Sequence, residues 1–179
     1  IFFDLDLNSK KDTELPHMLV EVDDWKDIVS KMGIKNSDEI IIYDNSDVLS
    51  ACRCWFNFIY FGHDPKLVHV LNGGFEKWNA ENKKVTSELP NIETSNYDCH
   101  EKKELVKDKS LIDQNIDEQK FRIIDARNKE RFQGKIPEPR KGLRSGNIKN
   151  SFCIPFEECL NENKTFKNKE QIENIFRSC

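Results

Sequence analysis

Four arginines crowd one stretch of this chain, Arg127, Arg131, Arg140 and Arg144, set among Gly134, Gly142, Gly146, Pro137 and Pro139. Guanidinium groups grip carboxylates in two-pronged pairs, and a Gly/Pro frame sets their geometry without bulk. These residue types point to capture of a small anion. The plainer alternative is a solvated cationic surface, because arginines are mostly exposed and exposed charges contribute little to stability. A short apolar strand, Arg122 to Asp125, must deliver the loop, and a second apolar run, Phe152 to Phe156, must close it.

The order of these pieces resembles the opening of a rhodanese-homology domain, the second one in tandem sulfurtransferases of the 3-mercaptopyruvate type. The residues that carry the resemblance are Asp125-Ala126-Arg127, Arg131-Phe132, Pro137-Glu138-Pro139-Arg140, Gly142-Leu143-Arg144-Ser145-Gly146 and Ile154-Pro155-Phe156. It implies that Arg131 and Arg140 hold the carboxylate and ketone of the substrate, and that Arg140 favours mercaptopyruvate over thiosulfate. The sequence departs from the family at Asn147, where Ser-Gly-His is usual, and at Lys149-Asn150, where Pro-Gly is usual. An asparagine there keeps a hydrogen-bond donor but cannot titrate.

The earlier part of the chain reads as α/β. Phe2 to Leu5 is expected as a strand, followed by a polar loop to Leu15-Pro16. Val22, Trp25, Ile28, Val29 and Met32 have helical spacing, with Gly33 as the stop. Glu39 to Tyr43 is a buried-type strand. Ser50 can cap a helix through Phe61 whose inner face is Ala51, Cys54, Trp55, Phe58 and Ile59. Leu67 to Leu71 is another strand, turned by Asn72-Gly73-Gly74 into a short helix. Such alternation predicts parallel sheets flanked by helices. These segments resemble the later part of the first rhodanese domain, through Tyr43-Asp44, Ser50-Ala51, Arg53 with Trp55, Phe61-Gly62-His63, and Val70 to Phe75 with Trp78. From Val85 to Asp117 the pattern gives way to a mostly exposed connector, with one short strand near Ser95 to Cys99 and a helix over Asp113 to Lys120. The expected organisation is the later part of a first, non-catalytic domain at 1–88, a linker at 89–117, and the first part of a second, catalytic domain at 118–179. Both rhodanese-like domains are then incomplete, and Ile1-Phe2-Phe3 without an initiator Met reads as an internal fragment.

An internal repeat bears on mechanism. Ile1 to Asp4, a polar loop and the helix at 22–34 match Ser151 to Phe156, a polar loop and Lys167 to Cys179. In the first copy the helix leads to the Glu39 strand; in the second, that strand's end is expected about ten residues past Cys179. The family places its nucleophilic cysteine directly after that strand, cradled by backbone N–H groups at a helix start that stabilise a thiolate and its persulfide. The first copy has Asp44 at this position, a carboxylate that cannot accept sulfane sulfur, and Asp47 adds repulsion against an anionic substrate. No catalytic residue is therefore assigned within the chain, and Arg53 is read as a salt-bridge partner. Whether two incomplete halves share one sheet or keep two separate sheets is open at this level.

Net charge of -4 disfavours nucleic-acid and membrane-surface partners, and no apolar run reaches the roughly 18 residues of a membrane span. The six cysteines form no CxxC pair and lack a partnering His at finger spacing, so neither metal nor cofactor is expected. A reducing compartment fits them, cytoplasmic or alternatively mitochondrial. The resemblance implies a small anionic sulfur donor and a thiol acceptor such as a thioredoxin-like protein. Two other classes compare with this one. A non-catalytic module binding a protein or anion remains open, whereas a cell-cycle-type phosphatase needs Arg six positions after its Cys, a spacing that does not occur here.

Overall fold

The computed structural model describes residues 1–46 and 49–177. The expectation about Asp47 lies outside the described residues. Two compact units divide the chain, Ile1–Val106 and Lys107–Cys179.

In the first unit, three consecutive isoleucines make β1 (Ile40–Ile42), which pairs in parallel with β2 (Val68–Val70) in the register Ile40–Val68, Ile41–His69 and Ile42–Val70. Helices α1 (Val22–Lys31) and α2 (Ser50–Tyr60) bring their apolar faces together. Trp25 stacks on Phe61 at 4.8 Å and meets Phe58 edge-on at 5.2 Å, all three buried beside Val29, Ile34 and Val68. Trp55 sits at the rim of this face, 36% exposed, with its indole N–H donating to the Val68 carbonyl at 3.1 Å.

Helix α3 (Gly74–Ala80) begins in a turn that only glycine fills readily. Gly73 and Gly74 have φ of 88° and 59°, and a Cβ on Gly74 would stand 2.8 Å from the Asp44 carbonyl oxygen. That closeness lets Phe75 N–H donate to the same carbonyl at 2.9 Å, tying α3 to the end of β1.

Two expected strands do not form. Phe2 to Leu5 enters a turn instead, because Asp4 captures Leu7 N–H with its side chain at 2.9 Å and Asn8 N–H with its carbonyl at 3.0 Å. At Ser95 to Cys99 the backbone donors go to the end of α1 and to side chains: Ser95 N–H to Ser30 O at 2.9 Å, and Asp98 N–H to Asn36 Oδ1 at 2.9 Å. This segment carries Tyr97 into the core with no exposed surface. Its hydroxyl meets His63 Nδ1 at 2.9 Å, while His63 Nε2 lies 3.0 Å from the Asp38 carbonyl. A carbonyl only accepts, so Nε2 carries a proton and donates to it.

The second unit opens with α4 (Lys109–Glu118), longer at its start than expected because Asp108 caps it through Leu111 N–H at 2.9 Å. Strand β3 (Ile123–Asp125) pairs in parallel with β4 (Ser151–Cys153), in the register Ile123–Ser151, Ile124–Phe152 and Asp125–Cys153. Between them lie the arginine loop and the short helix α5 (Lys129–Phe132); α6 (Lys169–Arg177) follows. The two-stranded sheets are separate, so the shared-sheet arrangement does not form.

Candidate functional site

Parallel strands present their carboxyl ends to ligands, and the loop that leaves β3 begins at such an end. There Asp125 is held to β4 by Ile154 N–H, which donates to the Asp125 carbonyl at 3.0 Å. The Asp125 carboxylate receives Arg127 Nε at 2.9 Å, Arg127 Nη2 at 2.5 Å and Arg127 N–H at 3.0 Å. Arg127 then spans the loop, donating from Nη2 to the Gly146 carbonyl at 2.7 Å and from Nη1 to Glu138 Oε1 at 2.6 Å. Glu138, whose side chain is 4% exposed, also takes Arg131 Nη2 on Oε2 and Arg131 Nε on Oε1. The order along the network is Asp125, Arg127, Glu138, Arg131. Two carboxylates face two guanidiniums, so the interior of the loop is charge-balanced.

Local sequence builds this arrangement. Asn128 caps α5 through Arg131 N–H at 2.9 Å, fixing where Arg131 leaves the backbone. Gly134, at φ of 69°, passes close to Gly146, where a Cβ would lie 3.3 Å from Gly146 N. Both departures from the family pattern keep a structural bond. Asn147 Nδ2 donates to the Phe132 carbonyl at 2.9 Å. Asn150 takes φ of 63°, a left-handed conformation that asparagine tolerates better than most residues, and donates to Ile116 O at 3.1 Å.

The two expected substrate-binding arginines are placed differently. Arg131 is half-buried and engaged by Glu138 through Nε and Nη2, which leaves Nη1 for a ligand. Arg140 is exposed and makes no hydrogen bond or ion pair among the described residues, as is also true of Arg144. No shared partner brings Arg131 and Arg140 together. Glu138 was not singled out from the sequence, although it is the lone carboxylate between Glu130 and Glu157, a signal that it must serve several cations.

The Arg127 guanidinium holds the Asp125 carboxyl below its usual range, and Arg131 does the same for Glu138. Both folded-state values are depressed, so their stabilisation is present above the ordinary carboxylate pKa of about 4 and is lost as pH falls through the lower folded values. The loop should therefore stay pinned at pH 5 and open in stronger acid. The Arg127 Nε–H resonance should keep its ion-paired chemical shift down to about pH 4 and move only in stronger acid; a move already near pH 6 would exclude the carboxylate anchoring.

No described thiol is prepared as a nucleophile. Burial pushes up the thiols of Cys52, Cys99, Cys153 and Cys159, and that of Cys54 up to about 12. Cys153 Sγ donates to the Arg127 carbonyl at 3.6 Å, and Cys179 lies outside the described residues. In the first unit, Asp44 occupies the start of α2 itself. Its Oδ2 accepts Ala51 N–H at 2.6 Å and the hydroxyls of Ser50 at 2.7 Å and Ser46 at 3.1 Å. The cap of α2 is thus Asp44 acting from a distance, with Leu49 in a left-handed conformation, rather than Ser50. Arg53 is not the expected salt-bridge partner: among the described residues it forms no ion pair, and Nη2 donates to the His17 carbonyl instead. No cluster of three His, Cys, Asp or Glu side chains suited to a metal occurs among the described residues.

Comparison with known proteins agrees with this fold. Residues 7–81 match the family model described as a rhodanese-like domain. A thiosulfate/3-mercaptopyruvate sulfurtransferase of Arabidopsis thaliana, named as mitochondrial, is 34% identical over 98% of this chain and 52% of its own length. The 3-mercaptopyruvate sulfurtransferase of Mus musculus is 34% identical over 98% of this chain and 59% of its own. The crystal structure of SseA from Escherichia coli, titled for the rhodanese fold and 3-mercaptopyruvate sulfotransferases, superposes with a TM-score of 0.80 at 26% identity, over 99% of this chain and 65% of that one. The chain thus spans about half to two thirds of the length of these relatives. Residues 7–81 thus match a rhodanese-like domain, the helix-flanked parallel strands have the rhodanese-like α/β fold, and the chain is similar along nearly its whole length to proteins named thiosulfate and 3-mercaptopyruvate sulfurtransferases.

Proposed function

We propose that this chain is the donor-binding part of a sulfurtransferase that takes sulfane sulfur from 3-mercaptopyruvate or thiosulfate. Arg140 and the Nη1 group of Arg131 receive the donor's anionic end. A cysteine thiolate then attacks the donor's outer sulfur. With mercaptopyruvate the C–S bond breaks, its electron pair stays on carbon, and protonation gives pyruvate; with thiosulfate the S–S bond breaks and the pair leaves on sulfite. Either way the enzyme gains a persulfide, whose outer sulfur passes to a thiol or to cyanide and regenerates the thiolate. The thiolate comes from outside the described residues, since each described thiol is pushed away from ionisation. The 1–88, 89–117 and 118–179 division of domains belongs to the same reading. The relative named as mitochondrial favours that compartment over the cytoplasm, and no helix among the described residues is long and apolar enough to cross a membrane.

The observation that carries the reading is the exposed, unpartnered Arg140, two residues from the Glu138 that organises the rest of the loop. Arg140→Ala should weaken mercaptopyruvate binding about ten- to a hundred-fold, the equivalent of about 1.5–3 kcal/mol for a charged hydrogen-bonded contact, and weaken thiosulfate binding less. Equal losses for both donors in calorimetric titrations would reduce Arg140 to general loop scaffolding.

One observation favours a second reading, a rhodanese module that binds an anion or protein without turnover: at the position that the resemblance gives to a nucleophile, the Asp44 carboxylate of the first unit already accepts Ala51 N–H and the Ser50 hydroxyl at the start of α2. Persulfide formation in a longer chain carrying a cysteine loop after α6 separates the two.

A further inference from the structure

The cations of the arginine loop fall into two sets. Arg127 and Arg131 are neutralised internally by Asp125 and Glu138. Lys135, Arg140, Lys141, Arg144 and Lys149 are all exposed, and none has a hydrogen-bonding or ionic side-chain partner among the described residues. Elsewhere the exposed lysines commonly find a carboxylate: Lys10 with Glu21 at 2.5 Å, Lys77 with Glu81 at 2.5 Å and Lys129 with Glu158 at 2.6 Å. Within residues 131–156 the sole carboxylate is Glu138, and its side chain is 4% exposed. The loop therefore shows solvent five positive charges and no accessible negative one. Interspersed with them are Leu143, 50% exposed, and Ile148, 43% exposed.

A small donor anion engages one or two guanidiniums and leaves the other cations and both apolar side chains without a role. Cations around exposed aliphatic groups match instead a protein surface with acidic residues around an apolar centre. A polyphosphate partner fits less well. The unit Lys107–Cys179 carries 16 Lys and Arg against 12 Asp and Glu, a net charge of +4, but the whole chain is at -4. A polyphosphate offers no apolar surface to Leu143 and Ile148, whereas the local excess of cations acts on an acidic protein within a Debye length.

We infer that residues 135–149 form the docking surface for an acidic protein partner. Resting on the sulfur-transfer reading above, that partner is the protein thiol that receives the sulfur, and its approach is steered by the unpaired cations. Glu138 has a second role in this arrangement. By satisfying Arg127 and Arg131 inside the loop, it keeps the outward set free of carboxylates.

The test uses the 179-residue chain and a reduced, acidic dithiol protein of thioredoxin fold, with association followed by stopped-flow fluorescence at low and high salt. Lys141→Glu combined with Arg144→Glu should slow association at least about tenfold at low salt, flatten its salt dependence and change dissociation little. Lys135→Glu with Lys149→Glu should act in the same direction. Neither pair removes a folding contact, and unchanged thermal unfolding verifies this. Thiosulfate affinity should fall far less than protein association does in Lys135→Glu with Lys149→Glu, whose residues are not among the donor-binding arginines. Unchanged donor affinity in Arg140→Ala, with protein docking retained, would count against the donor reading and leave the surface standing. Unchanged association of the reversed variants with the acidic protein overturns the proposal. So does equal binding of a basic dithiol protein of the same fold, or tighter binding of a heparin fragment than of the acidic protein.

Discussion

Purified chain given thiosulfate and cyanide will form no thiocyanate above the uncatalysed rate. The reaction needs a thiolate, and the environment of every described cysteine opposes one. Cys54, held at about 12, would be ionised in about one molecule in ten thousand at pH 8. Cys52 has burial against it and Asp44 beside it, both disfavouring the anion. Cys153 lies closest in sequence to the arginine loop, yet its thiol is raised by burial and by Asp125, and its Sγ–H is directed to a backbone carbonyl. At the start of α2, where backbone donors would favour an anionic sulfur, the ligand is the carboxylate of Asp44. Turnover that disappears when any one of the described cysteines becomes serine would show that this thiol chemistry has been misjudged.

Trp25→Ala is expected to cost about 3–5 kcal/mol of stability, enough to unfold a marginal domain at 37 °C. Trp25 has no exposed surface and contacts three aromatic rings, of Phe3, Phe58 and Phe61, from two different segments of the first unit. Truncation leaves a void between α1 and α2 that neither helix can close, because each also holds the sheet or the Tyr97 segment. Trp25→Phe should cost far less. It keeps most of the ring and removes an indole N–H that is buried without a partner. Urea unfolding followed by far-ultraviolet circular dichroism measures both variants. Equal losses would mean that ring volume is not what holds the unit together.

Where the sequence repeats a physical period, it announces the element. The Ile40–Ile42 strand, the Trp25 and Val29 face of α1 and the inner face of α2 all follow from side chains that must be buried on one side. The failures are of another kind. At Phe2 to Leu5 the apolar pattern is that of a strand, but side-chain oxygens nearby offer the backbone a turn, and that competition leaves no periodic trace. Tyr97 looks like one polar aromatic in a connector. Its burial depends on His63 being 34 residues away in sequence with a hydrogen-bonding nitrogen to spare. The extent of α4 was misjudged because the cap, Asp108, stands in a stretch dense with charge. For the candidate site, the arginines and their Gly/Pro frame were legible as an anion-handling loop. Their division into neutralised and free sets was not, since it is decided by where the Glu138 side chain folds.

The account stands on the loop after β3 being the place where a small anionic sulfur donor is held. Titrating the 15N-labelled chain with 3-mercaptopyruvate while following its amide signals tests this most directly. The expected result is a saturable set of shifts confined to residues 127–146, with the Arg140 guanidinium moving alongside and the response largely lost in Arg140→Ala. Shifts centred on Asp44 to Ala51, or a loop that does not respond at saturating donor, would contradict it.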